Sequence, residues 1–249
     1  SLGGILHFNA PVEKVIVKNN TACGLQLKNG KSIPADYVIS ASDWHFTVFG
    51  ALDGLYVNKK ILALGNLKKL KVYYSVFFVF LGLNRSLDGF PVFFRFPLES
   101  PLVSPDGTTY ERMELHIQNY DPTLAPEGKT VASVALYTTH GDYWIKSRET
   151  SPGSYHRTKN EFAREVIDRL EKKISGIRDS IEQVDVATPA TFKRFTNNWN
   201  GSIQGWQPGK NTEGLESLPG AGRARANSLP LLNAMSRKAK SCADGGIRP

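Results

Sequence analysis

The sequence predicts an α/β (α+β) fold, because strand-like and helix-like patterns of apolar residues occur in separate parts of the chain. Apolar and polar residues alternate in "VEKVIVK" and "ACGLQLK", which is typical of half-buried strands. The apolar run 72–83 predicts a buried strand and, at 12 residues, is too short to span a membrane as a helix. An apolar stripe at helical spacing predicts a long helix over Lys159–Ile174.

The first three segments predict strand, turn, strand, turn, strand. The dipeptides "NN" at 19–20 and "NG" at 29–30 stand between them, and both favour tight hairpin turns. The third segment, "ADYVISAS" (35–42), carries Val38 and Ile39 side by side. Adjacent apolar residues are typical of a strand covered on both faces, as in the parallel sheet of a nucleotide-binding domain.

The middle of the chain predicts further elements, separated by loops that are rich in proline and glycine. Leucine and isoleucine among lysines predict a helix over Asn58–Leu70. Strand-like patterns recur at Val92–Phe96, Arg112–Gln118, Thr130–Thr138 and Ser180–Val186.

The segment "TPATFKRFTNNWNGSIQGW" (188–206) is dense in aromatic residues and predicts a short helix. Thr188 suits its N-cap, and Pro189 suits the first helical position, where a missing N–H costs nothing. The spacing i, i+3, i+7 then places three aromatic residues on one helix face, namely Phe192, Phe195 and Trp199.

Two interpretations of this aromatic helix remain open. From periodicity alone it is a core helix that fills a gap between domains. Alternatively it forms the wall of an apolar ligand pocket, with Asn197, Asn198 and Gln204 as the polar groups that such pockets contain. Gly201, which is expected to end the helix, and Gly205 would let the backbone approach a flat ligand.

The charge distribution separates the last part of the chain from the rest. The formal net charge is +8, and half of that excess lies in residues 209–249. This tail has no aromatic residue and is rich in alanine, glycine, serine and arginine, so we expect 211–249 to be a poorly ordered or aberrant basic tail. A lysine patch at 68–71 is expected to be a solvated helix face, and no nucleic-acid partner is expected.

Familiar catalytic and metal-binding motifs are not found in the sequence. The five histidines show neither HxH nor HExxH spacing, so no metal site is expected. GxSxG, GxGxxG and GxxxxGK[ST] are also missing, and the two cysteines lie at opposite ends of the chain. The catalytic residues therefore stay unknown from the sequence, no disulfide framework is predicted, and a reducing compartment fits the cysteine usage.

Two motifs together resemble a known family. "SLGGILHFNAPVEKVIVKNNTACGLQLKNGKSIPADYVISASD" and, far downstream, "TPATFKRFTNNWNGSIQGW" resemble the C-terminal half of the phytoene desaturase-like flavoproteins. That group includes carotenoid desaturases, carotenoid isomerases and retinol saturases. The segment "YYSVFFVFLGL" also looks like the central strand of the family's substrate domain.

The resemblance implies the C-terminal part of a Rossmann-like FAD/NAD(P)-binding domain, interrupted by a substrate domain with a mixed sheet and helices. It divides the chain into a partial FAD-binding domain (1–45), a substrate domain (46–187), and an aromatic helix that returns toward the FAD domain (188–210). The implied activity is FAD-dependent desaturation, isomerisation or saturation of an apolar isoprenoid. The implied location is the cytoplasm or the periphery of a membrane.

The resemblance also implies site residues. For cofactor binding it points to Val12 beside the FAD adenine and to Ala41 and Asp43 near the ribose and diphosphate. For substrate lining it points to Thr191, Phe192, Trp199 and Trp206. No glycine-rich phosphate-binding turn is present in the sequence, so we expect this chain alone to bind FAD poorly and to be inactive.

Two other functions remain open at this stage. One is a non-catalytic binding domain that docks through the aromatic helix and whose basic tail reaches an anionic partner. The other is a relative of the flavin amine oxidases, which share the cofactor fold. After "GLESLPG" the chain departs from the family pattern, since arginines replace the expected glycine-rich stretch and final helix.

Overall fold

The computed structural model describes residues 3–57, 59, 62 and 71–207. The chain divides into two units, one of residues 1–71 with 206–249 and the other of residues 72–205. The predicted division into domains, with boundaries at 45/46 and 187/188, stays a prediction.

The first unit contains a three-stranded antiparallel sheet in the order β1-β2-β3. Its strands are β1 (Val12–Lys18), β2 (Thr21–Leu27) and β3 (Ser32–Pro34). Asn19 and Asn20 both have positive φ (49° and 59°), which asparagine tolerates and which a tight turn between twisted strands requires. Gly30 (φ 84°) serves the second turn. Both hairpins predicted from the sequence are confirmed.

The predicted strand 35–42 is wrong, because these residues form no strand. Ile39 is 80% exposed and Tyr37 is 52% exposed, so this segment is not covered on both faces. A strand needs a hydrogen-bonded neighbour, and within the described part of the chain none pairs with 35–42. The pairings within the two larger sheets are all antiparallel, so the parallel sheet expected here is not found among the described residues.

After this segment the first unit has one short helical turn, of π type, at Phe46–Ala51. The predicted helix Asn58–Leu70 lies almost wholly outside the described residues, although Lys59 and Leu62 within it are helical. The predicted basic tail 211–249 also lies outside them. Two short strands occur near the unit boundaries, β4 (Lys71–Val72) and β10 (Trp206–Gln207).

The second unit is built on a five-stranded antiparallel sheet in the order β6-β7-β8-β5-β9. Its strands are β5 (Ser75–Leu83), β6 (Phe93–Val103), β7 (Thr109–Ile117), β8 (Thr130–Thr138) and β9 (Ile181–Ala187). The predicted strands are confirmed, but β6 continues through Pro97 and Pro101, where a loop was expected. It can do so because β6 is an edge strand, where proline removes no hydrogen bond to a second neighbour.

Three α-helices belong to the second unit, α1 (Gly141–Thr150), α2 (Pro152–Lys173) and α3 (Pro189–Thr196). Short 3₁₀ turns follow at Arg178–Ser180 and Trp199–Gly201. The predicted helix Lys159–Ile174 is confirmed as α2, which begins seven residues earlier at a proline that suits a first helical turn. Helix α1 was not predicted from the sequence.

One face of the five-stranded sheet packs against α1 and α2 and forms the core. The Phe77 ring lies 5.2 Å from the ring of Trp144 on α1 and 4.9 Å from that of Phe162 on α2. All three side chains are at least 98% buried. Burial of each such side chain contributes roughly 1.5–3 kcal/mol, so this layer fixes the sheet on the helices.

Candidate functional site

The opposite face of the sheet carries large aromatic side chains that the core does not use. Side chains alternate along a strand, so Phe78 and Phe80 of β5 point away from the core residues Phe77 and Val79. Their rings stack 5.1 Å apart at 22°. Both are only half-buried, so this face offers an apolar surface.

The strand register arranges this second face into two rows that cross all five strands. Residues paired across neighbouring strands lie about 5 Å apart and on the same face. The first row, from β6 to β9, is Phe93, His116, Ser133, Phe80 and Asp185. The second row, in the same strand order, is Arg95, Glu114, Ala135, Phe78 and Ala187.

Ser133 and Ala135, the two β8 residues of these rows, are 4% and 2% exposed, whereas the phenylalanines beside them on β5 are half-buried. The surrounding side chains therefore cover both small residues. The accessible apolar surface of this part of the face is that of Phe78 and Phe80.

The β7 side of this face is charged. Arg95 and Glu114 form an ion pair in which the Glu114 side chain is 14% exposed and that of Arg95 is 55% exposed. Burial raises the pKa of the hydroxyl of Tyr137, two residues beyond Ala135 on β8, and Glu114 and Tyr73 raise it further, while Arg95 lowers it. This face thus has an aromatic wall, Phe78 and Phe80, on one side of β8 and an ion pair on the other.

Helix α3 places another aromatic residue beside this face. Its N-terminus is capped by Thr188, whose Oγ1 accepts a hydrogen bond from the backbone N–H of Ala190 (3.1 Å). The Thr191 hydroxyl accepts from the Thr188 N–H in return (3.2 Å). The predicted cap is confirmed, and the hydroxyl of Thr191 serves it. Phe192 lies with its ring 6.2 Å from that of Phe78, so it extends the aromatic wall.

Trp199 does not share a helix face with the phenylalanines of α3, so that prediction is wrong. Helix α3 ends at Asn197, which adopts a left-handed conformation (φ 57°) that asparagine tolerates at a C-cap. Trp199 instead begins a separate 3₁₀ turn that ends at Gly201, and Phe195 is 74% exposed. Gly201, predicted to end the helix, ends this turn instead.

In the first unit the structure brings Asp43 and Trp206 together. Asp43 Oδ1 accepts a hydrogen bond from the backbone N–H of His45 (2.9 Å), and Oδ2 accepts one from Trp206 Nε1 (3.2 Å). Both residues are buried. The Trp206 ring also lies 5.4 Å from that of Trp44. Trp206 therefore belongs to the first unit, whereas Thr191, Phe192 and Trp199 belong to the second.

The remaining predicted cofactor residues lie in the first unit as well. Val12 begins β1 and is half-buried, and Ala41 is exposed in the segment before Asp43. Trp44 Nε1 is buried and has no hydrogen-bond partner among the residues that the structure describes. A buried indole N–H normally finds a partner. The carbonyl and phosphate oxygens of FAD are acceptors for such a donor, so this segment fits the cofactor.

Other kinds of site find no support in the described part of the chain. No group of three or more histidine, cysteine, aspartate or glutamate side chains there could hold a metal ion. None of the helices described is long and apolar enough to cross a membrane.

The residues of this second face were not among the site residues predicted from the sequence. A signal for Phe78 and Phe80 was present, because β5 has large apolar residues at both alternating sets of positions, which indicates that both faces meet apolar material. Ser133, Ala135 and Glu114 have no such signal. Their meeting depends on strand order and register, which local patterns do not contain.

Comparisons with known proteins place these features in a family context. A family model described as "Flavin containing amine oxidoreductase" matches residues 1–234. Prolycopene isomerase 2 of an Oncidium hybrid cultivar is 32% identical over 227 residues, and prolycopene isomerase of Daucus carota is 30% identical over 228. The 4,4'-diapophytoene desaturase of Methylomonas sp is 24% identical over 268 residues.

These matches cover 87%, 87% and 94% of this chain, respectively. The corresponding shares of the relatives are 36%, 34% and 48%. The chain therefore spans less than half of the length of these relatives.

Proposed function

The chain belongs to the family of flavin-containing amine oxidoreductases, and from this we propose that it forms the substrate-binding part of an FAD-dependent oxidoreductase that acts on a carotenoid or similar isoprenoid. The reaction is a desaturation, isomerisation or saturation. The observation that carries the proposal is the half-buried aromatic wall of Phe78, Phe80 and Phe192. The relatives named as carotenoid isomerases and desaturases support it.

The aromatic wall accounts for binding of an apolar chain. Phe78, Phe80 and Phe192 stand next to one another, with ring separations of 5.1 Å and 6.2 Å. A ligand that lies against them removes apolar surface from water, at roughly 25 cal/mol for each Å². Their role is to orient the chain and to exclude water from it.

The first unit would hold the cofactor. Val12, Ala41 and Trp44 are the residues for this, with the unused Trp44 N–H as a donor to an oxygen of the cofactor. When it is bound, FAD supplies the acceptor for hydride at its N5 atom. Asp43 holds the segment in place through His45 and Trp206, and direct contact between Asp43 and the cofactor stays a prediction.

An acid–base pair is not required of the protein in this proposal, because the flavin carries the redox chemistry. Glu114, on the same sheet face as the aromatic wall, is paired with Arg95 and is not assigned as a general base. The same proposal includes peripheral contact with a membrane, from which such a substrate is drawn.

Direct binding tests this function. A detergent-solubilised acyclic polyene is added to the purified chain, and quenching of tryptophan fluorescence is measured. We expect saturable quenching, and we expect Phe80→Asp to weaken binding at least tenfold, because it places a charge in the aromatic wall. Tyr120→Asp is the matched control, since Tyr120 is 66% exposed outside the sheet. Equal binding by the native chain and by Phe80→Asp would remove the aromatic wall from the proposed function.

A further inference from the structure

Helix α3 carries an exposed aromatic residue and two cations in its last turn. Phe195 is 74% exposed, and Lys193 and Arg194 precede it. We propose, building on the proposed function, that these three residues dock the second unit on a lipid surface that contains anionic headgroups. The bilayer then supplies the apolar ligand to the neighbouring aromatic wall.

The first argument is the charge of this part of the chain. Residues 186–207 contain Lys193 and Arg194 and no aspartate or glutamate. None of the ion pairs within the described residues involves Arg194. Each lysine or arginine near an anionic membrane surface strengthens binding about fivefold. The two cations therefore favour a surface of phosphate headgroups.

The second argument is the pairing of an aromatic ring with a cation. The guanidinium carbon of Arg194 lies 4.3 Å from the centroid of the Phe195 ring. A cation at this distance is attracted to the face of the ring, so the two side chains form one exposed tip that is both apolar and cationic. A single exposed phenylalanine is common on protein surfaces. One accompanied by an arginine fits the boundary between headgroups and acyl chains, where amphipathic helices place these residue types.

The third argument is the position of Phe195 relative to the aromatic wall. Phe192 belongs to the wall, with its ring 6.2 Å from that of Phe78. Residues three positions apart are neighbours on a helix surface, with about 5–6 Å between their Cβ atoms. Phe195 therefore lies next to Phe192 and closer to the end of α3. An apolar chain that leaves a bilayer at Phe195 meets Phe192 as the next aromatic side chain along the helix.

The helix that carries these residues is held at both ends. Thr188 caps its start, and the Thr188 Oγ1 lies 2.9 Å from the hydroxyl oxygen of the buried Tyr155. Asn197 ends the helix, and its N–H donates to the carbonyl oxygen of Lys193 (3.0 Å). The Lys193 Nζ donates in turn to the Asn197 carbonyl oxygen (3.1 Å), which keeps this cation beside the last turn. A docking element that is already formed loses little conformational entropy when it binds.

Binding of the purified chain to vesicles tests the docking. Phosphatidylcholine vesicles are compared with mixed vesicles that also contain phosphatidylglycerol, and the bound fraction is measured by co-sedimentation. We expect the native chain to bind the mixed vesicles roughly tenfold more tightly, and added salt should weaken this binding. Phe195→Ala should weaken it about tenfold, because the aromatic ring no longer enters the bilayer. Arg194→Gln should weaken it about fivefold.

Two variants are matched controls. Arg178→Gln removes the same charge from an exposed arginine elsewhere in the second unit, and Tyr120→Ala removes an aromatic ring that is 66% exposed. Neither should change the affinity for the mixed vesicles, and circular dichroism of each variant checks that it is folded. The polyene assay in detergent is run on the same variants. Phe195→Ala should bind the polyene there as the native chain does, because Phe195 lies outside the aromatic wall.

The outcomes separate this inference from the proposed function. If the native chain binds neither kind of vesicle or both equally, or if Phe195→Ala binds the mixed vesicles as the native chain does, the inference falls alone. Equal losses in Arg194→Gln and Arg178→Gln would assign the binding to net charge and overturn it as well. If Phe195→Ala turns a dimer into a monomer and leaves vesicle binding unchanged, α3 is a contact between copies of this chain and not a lipid-docking surface.

The polyene assay decides the proposed function. If the native chain binds no polyene in detergent, the proposed function falls. Helix α3 then has no ligand to supply, even where vesicle binding depends on Phe195. If polyene binding persists and vesicle binding requires both Phe195 and Arg194, the proposed function and the docking surface are both supported.

Discussion

Trp206 donates a hydrogen bond of 3.2 Å from its indole Nε1 to Oδ2 of Asp43, a residue 163 positions earlier in the chain. The same carboxylate accepts a backbone hydrogen bond from His45 at the start of the following helical turn. A single buried side chain therefore joins the last described strand to the segment that follows the three-stranded sheet. Two residues that sequence comparison assigned to different ligands are bonded to each other.

We expect Trp206→Phe to destabilise the first unit by about 1.5–3 kcal/mol, the range for a hydrogen bond to a charged group. Asp43→Asn should cost a similar amount, because its amide keeps an oxygen for His45 but loses the acceptor for Trp206. The double variant should cost little more than either single change. Urea unfolding measures all three. Fully additive losses would show that the two side chains do not interact.

Gly201 and Gly205 form a matched pair for a test of close packing. Both have positive φ, 63° and 76°. A Cβ atom on Gly201 would lie 2.1 Å from the Pro189 carbonyl oxygen, whereas one on Gly205 would meet nothing within 4 Å. Gly205→Ala should cost roughly 1–2 kcal/mol, the penalty for the backbone conformation. Gly201→Ala should cost clearly more or prevent folding, and equal losses in thermal unfolding would contradict the observed packing.

Thr188 joins α3 to α2 through its hydroxyl. Its Oγ1 accepts from the Ala190 N–H (3.1 Å) and lies 2.9 Å from the Tyr155 hydroxyl, and Thr188 itself is fully buried. Thr188→Val keeps the shape but leaves both partners unsatisfied, so we expect a loss of about 2–3 kcal/mol. Thr188→Ser keeps the hydroxyl and should cost less than half as much. Guanidinium unfolding followed by far-UV circular dichroism distinguishes the two.

We expect Tyr110 to lower the stability of the folded protein at alkaline pH. Burial, and then the nearby Asp106, raise the pKa of its hydroxyl well above the ordinary value of 10.0. The folded state therefore keeps this proton while the unfolded chain loses it. The stabilisation that results is complete below about pH 10, and it is lost as the pH rises toward the pKa of Tyr110 in the folded state. Tyr110→Phe should make stability less dependent on pH above 10, while Tyr120→Phe, at an exposed tyrosine, should not.

Elements that depend on residues adjacent in the sequence could be predicted from it. The turns at Asn19-Asn20 and Asn29-Gly30 follow from residues that accept positive φ. The long apolar stripe predicted α2, and the Thr-Pro pair at 188–189 predicted the start of α3. In each case the conformational preference depends on one turn or on a few consecutive residues. These elements could therefore be predicted without knowledge of tertiary contacts.

Where residues distant in the sequence determine the local structure, the same patterns predicted the wrong element or none. Residues 35–42 have a strand-like composition and no partner strand, so they stay irregular with Ile39 exposed. Trp199 has helical spacing from Phe192, but the left-handed Asn197 intervenes. Helix α1 has no apolar stripe, and it is buried chiefly through Trp144, whose ring contacts that of Phe77 at a tilt of 42°.

The candidate site illustrates the same division between local and distant information. Composition and family resemblance indicate a flavin-linked protein with an apolar ligand, because those properties reside in residue types and short motifs. The arrangement of Phe78 and Phe80 beside Ser133 and Ala135 arises when β8 lies between β5 and β7 in one particular register. A shift of a single residue would turn Ser133 and Ala135 to the helix side. That register is set by the packing of the whole sheet on its helices, and only the folded chain contains it.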